Sequence, residues 1–155
     1  MVVLCATLCM IPAGEAGARS PDHAVIRLSC ATAPEALCQA VIQALAETAA
    51  RATGNAAGGA TGSTPVIRRV PPGQERPARA GDLGLALVLA PDDSQTALSG
   101  HLDWQSAEGA RNSGPELRVD VMDATVTPQT YASFADALLR VTPEIARALA
   151  RTAPQ

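Results

Sequence analysis

The residue types that could do chemistry gather on one stretch of the chain. Between Ala97 and Gln105, Ser99, His101 and Asp103 recur at every second position. Residues two apart on a strand share a face, so the imidazole and the carboxylate become neighbours. An Asp that orients a His is what general-base catalysis uses. The next alternating stretch, Glu116 to Met122, turns Glu116, Arg118 and Asp120 outward in the same way. His101 with Asp103 or Asp120 is therefore the candidate catalytic set, of a small hydrolase-like kind. An ordinary solvent-facing sheet side has the same pattern. No G-x-S-x-G, H-E-x-x-H, P-loop or G-x-G-x-x-G motif accompanies the pair. His101, Asp103 and Asp120 could together meet a metal ion, but structural zinc usually takes more His or Cys than the mature chain supplies, so neither metal nor cofactor is expected. The chain has no Lys, which removes Schiff-base chemistry.

A second group is basic. Arg68, Arg69, Arg76 and Arg79 cluster around Glu75 and are the candidate binding residues. They suit an acidic partner or phosphate groups. No aromatic residue interleaves them, and the net charge is -3, so nucleic acid is not an expected partner. The flanking stretch Val66 to Val70 is short, Arg-bearing and bounded by prolines, as protected edge strands are. Another envelope protein could meet the Arg cluster or add a strand along 66–70. Alternatively, this stretch pairs internally with Leu85 to Leu89.

The third group is the four cysteines. Cys5 and Cys9 fall in an apolar run, Val2 to Ile11, that ends at Pro12 and Gly14 and is followed by Ala16-Gly17-Ala18. The run is shorter than the roughly 20 residues of a membrane span. It fits a signal peptide cut after Ala18, although no basic residue precedes it after Met1. Cleavage would leave Cys30 and Cys38, an even pair in an oxidising compartment. Cys30 ends a predicted strand and Cys38 lies in the first turns of the next helix, so a disulfide joins them within roughly 6 Å between Cα atoms.

The elements that must position these groups follow from periodicity. With 155 residues and 47% apolar content the chain suits one folded domain, expected over 24–151, behind a leader (1–18) and a flexible start (19–23). Aromatics are limited to Trp104, Tyr131 and Phe134, so the core rests on Leu, Val and Ile. Ala24 to Ser29 alternates as a strand. Thr32-Ala33-Pro34-Glu35 opens a helix whose apolar stripe is Leu37, Cys38, Val41, Ile42, Leu45 and Ala49. Asn55 to Thr64 reads as a loop. Gly84 to Ala90, Ala97 to Gln105 and Glu116 to Met122 read as an antiparallel meander with one wet face, with Ser106 to Gly114 as a loop. Thr127-Pro128 and Thr142-Pro143-Glu144 open two further helices.

The expected fold is α/β (α+β): a mostly antiparallel sheet of four to five strands, two main helices on one face, and the order β-α-β-β-β-β-α plus a short C-terminal helix. These readings combine into an exported, periplasmic or secreted, non-enzymatic binding or accessory module of the bacterial envelope. The alternative is the small His101-based enzyme.

Overall fold

A computed structural model of the chain describes residues 24–52, 65–91, 96–121 and 125–152. The expected leader at 1–18, the start at 19–23 and the Gly-rich stretch up to Thr64 lie outside the described residues.

The first strand, β1 (Val25–Ser29), buries Ile26 and Leu28 on one side. Helix α1 (Glu35–Ala52) follows, with Pro34 just before it and Glu35 in its first turn, where a carboxylate favours the positive helix end. Its buried stripe is Leu37, Cys38, Val41, Ala44, Leu45 and Ala49. Strand β2 (Val66–Arg69) then lies parallel to β1, from Val25 opposite Val66 to Leu28 opposite Arg69. β1 and β2 are thus parallel neighbours with α1 between them in the chain, as a strand–helix–strand unit requires.

Strand β3 (Leu83–Leu89) is the centre of the sheet and carries Leu83, Leu85 and Leu87 to the helix side. It runs parallel to β1 and antiparallel to β4 (Ala97–Ser106). Along the far side of β4 lie β5 (Asn112–Ser113) and β6 (Leu117–Asp120), both antiparallel to it. The order across the six-stranded sheet is β2-β1-β3-β4, with β5 and β6 sharing the last edge. The meander is therefore present. The sheet has one more strand than expected, because Asn112 and Ser113 pair inside what the sequence suggested was a loop.

From Asp103 to Gly100 is three steps on β4, whereas from Ser113 to Leu117 is four on the opposite side. One extra residue makes a bulge there. Gly114 sits at it, with its amide donating to the Leu102 carbonyl. A Cβ on Gly114 would lie 2.3 Å from the Thr142 methyl group, so only glycine lets the bulge approach the helices this closely.

Helices α2 (Pro128–Val141) and α3 (Pro143–Thr152) cover the same side of the sheet as α1. Thr127 caps α2: its hydroxyl accepts from the Thr130 amide, while the Thr130 hydroxyl accepts from the Thr127 amide. Phe134, Leu138, Ile145 and Leu149 complete the core against Leu85, Leu102 and Leu45. Each such buried side chain stabilises by about 1.5–3 kcal/mol relative to exposure. No described helix is long and apolar enough to cross a membrane.

The strand order also decides the pairing of Val66 to Val70. It does not pair with Leu85 to Leu89. β1 lies between them and takes both neighbours, which leaves β2 at the edge among the described strands.

Candidate functional site

The sheet's second side, away from the helices, holds the polar residues. The alternation of β4 sends Leu98, Leu102 and Trp104 to the helix side and Ser99, His101, Asp103 and Gln105 to the other. On β3 the matching residues are Gly84, Ala86 and Val88, which are small or apolar. The chain from Pro71 to Asp82 crosses this side. Gly84 makes room for it: a Cβ there would stand 2.1 Å from the Glu75 carbonyl oxygen. Asp82 fixes the end of the crossing. Its buried carboxylate accepts from the amides of Val25 (3.1 Å), Ala78 (3.3 Å) and Arg79 (3.2 Å).

Between this covering segment and the β4–β5 hairpin lies a recess of about 380 Å³, lined by Glu75, Arg76, Ala86, Asp103, Gln105 and Arg111 among others. His101 Nε2 is 3.3 Å from Asp103 Oδ1. Arg111 donates from Nε (3.1 Å) and Nη2 (2.8 Å) to Asp103 Oδ2, and its Nη1 is 4.0 Å from Glu75 Oε1. Asp103 is therefore shared between an imidazole and a guanidinium, and it is 9% exposed. Ser99, also nearly buried, donates its hydroxyl to Glu116 Oε1 at 2.6 Å. This part of the face is more covered than its alternation suggested.

The chain matches no family model, no curated protein and no solved structure.

His101 and Asp103 are together, as their spacing predicts. Asp120 is not with them. It lies on β6 opposite Ala97, four residues along β4 from His101, and takes Arg118 Nε at 3.0 Å. The Ser99 hydroxyl, on the same face, is turned to Glu116 rather than to His101. Among the described residues no three His, Cys, Asp or Glu side chains gather as a metal site would need.

The four arginines separate. Arg69 and Arg68 are adjacent on β2 and so stand on opposite sides of the sheet. Arg69 pairs with Glu35 at the start of α1. The Glu35 carboxyl is held below the usual carboxylate range, first by the hydrogen bond from Gln39 Nε2 and then by Arg69. Arg68 is on the open side, in register with Arg27 of β1. Arg76 lines the recess, and Arg79 lies in the turn held by Asp82. Arg27 and Arg111 join this side without having been singled out from the sequence. Arg27 stands at the polar phase of β1, which is a signal in the sequence, whereas Arg111 falls in the stretch Ser106 to Gly114, which has no periodicity to place it.

Cys30 and Cys38 are bonded, with Cα atoms 6.0 Å apart. The bridge ties the end of β1 to the first turns of α1, directly beside β2. A wider groove, about 690 Å³, lies among the ends of α1, α2 and α3, lined by Glu47, Arg51, Asp136 and Arg140. It is on the helix side, remote from His101.

Proposed function

We propose that the chain is an exported, non-enzymatic binding module of the bacterial envelope that takes an extended segment of another envelope protein onto the outer edge of β2. The observation that carries this is the one-sided pairing of β2. The amides of Val66 and Val70 donate to the carbonyls of Ala24 and Leu28. Alternation along a strand then turns the amides and carbonyls of Ile67 and Arg69 away from β1, where an added strand finds them. Val66 is 40% exposed at the mouth of this edge. The Cys30–Cys38 bridge suits an oxidising compartment, which supports export.

The test places a photo-crosslinking residue at Val66 in the chain's own cells. A partner should be trapped, on a chain whose mature N-terminus is Arg19. Ile67→Pro removes one outward amide and, with it, a half-buried side chain packed on the core, so it should abolish the trapping, whereas Ile67→Ala, which loses the same packing but keeps the amide, should still trap the partner. An intact Met1 on the cellular protein, or trapping that ignores Ile67→Pro, would overturn the reading.

The contact between His101 and Asp103 favours a second reading, a small hydrolase-like enzyme. Substitution His101→Ala separates the two. A binding module keeps its crosslink at Val66, whereas an enzyme loses its turnover.

A further inference from the structure

Arg27 and Arg68 are Cα partners in the parallel ladder of β1 and β2, and both point to the side away from the helices. Neighbouring strands lie about 4.8 Å apart, so the two stems rise side by side. Like charges directly opposite each other on a sheet are destabilising. Other arginines here have a carboxylate close by: Arg69 has Glu35, Arg111 has Asp103, and Arg118 has Asp120. Arg27 and Arg68 have no ion pair or hydrogen bond from their side chains among the described residues. Arg27 is half-buried, and its Nε is enclosed without an acceptor. Folding has brought two uncompensated positive charges together and has desolvated part of one.

We propose that Arg27 and Arg68 form a binding site for a doubly charged oxyanion, a phosphate or sulfate group. Guanidinium groups present forked donors that match such oxygens in pairs. A dianion neutralises both charges, which a single carboxylate does not. Access is from the sheet edge. On the inner side Arg27 is flanked by Gly84, over which the Glu75 backbone passes, and this closes the site toward the recess. On the outer side no described strand pairs with β2. The anion sits above the sheet face and needs no strand added in its plane, whereas an added strand narrows the approach to it.

Thermal melting tests it, with sulfate, phosphate, acetate and chloride compared at equal ionic strength and mildly alkaline pH. Sulfate and phosphate should raise Tm by at least about 3 °C over chloride, as preferential binding to the folded state does, and acetate should not. Arg68→Gln and Arg27→Gln should abolish the rise. Arg68→Glu supplies the missing counter-charge, so it should also abolish it while raising Tm at low salt. Arg111→Gln and Ile67→Pro should leave it intact, which keeps this result separate from that of the edge. An equal response to chloride, or an unchanged sulfate response in Arg68→Gln, would overturn the proposal. Vesicles of phosphatidylcholine with phosphatidic acid distinguish the source. Sedimentation that depends on Arg68 assigns the group to a lipid headgroup, and a sulfate response without sedimentation assigns it to a soluble ligand.

Discussion

The carboxylate of Asp82 is committed to three backbone amides, those of Val25, Ala78 and Arg79. It joins the start of β1 to the turn before β3, 57 residues later in the chain. The carboxylate itself is buried and serves all three amides at once, so its loss removes three charge-assisted hydrogen bonds together. Asp82→Ala should therefore cost about 2–3 kcal/mol in urea unfolding, and Asp82→Asn, which keeps one acceptor, clearly less. A fall within the scatter of surface substitutions would show that water takes over these amides. Nothing in the sequence marked Asp82, because an Asp beside Gly81 reads as an ordinary turn residue. His101 and Asp103 were legible, since a two-residue spacing on a strand fixes a shared face whatever the partners are. What surrounds them was not. Arg111 reaches Asp103 only because β5 folds back along β4, and Ser99 meets Glu116 across the same edge.

At the scale of elements, the prolines and alternation carried most of the fold. Pro34, Pro128 and Pro143 stand at or just before the helix starts, and the leucines of β3 define the helix side. β5 was hidden, because two polar residues give no period to detect and their pairing comes from the bulge. The direction of β2 was open as well. A four-residue strand fits beside β1 or β3 equally by composition, and the α1 crossover decides it. The bulge gives a sharp prediction. Gly114→Ala would push a methyl group into Thr142, which is buried at the α2–α3 junction. Overpacking of this kind should cost about 1–3 kcal/mol, read as a lowered urea midpoint, and Thr142→Ser in the same chain should recover part of it. If the double variant is no better than Gly114→Ala alone, the contact is not the cause.

For the whole molecule the disulfide matters most. It closes a short loop between residues eight apart, and the chain-entropy account gives about 2–3 kcal/mol for such a closure. With few aromatics in the core, that is a substantial part of a small domain's stability of roughly 5–15 kcal/mol. Reduction should lower the urea midpoint by a corresponding amount, and thiol counting in the folded state should find Cys30 and Cys38 unreactive until then. A midpoint indifferent to reductant would show that the bridge contributes nothing. A different consequence follows from β3, where strand direction changes across the sheet. On one side, β3 joins β4 and the strands after it through close neighbours in sequence. On the other, β1 and β2 reach it only after a long excursion through α1. The early-forming half of the protein is then the hairpin half, because short closures come first and distant ones wait on them. The β2 edge, where we propose that a partner strand adds, belongs to the late half, so a docking surface there would also be the last part of the sheet to be built.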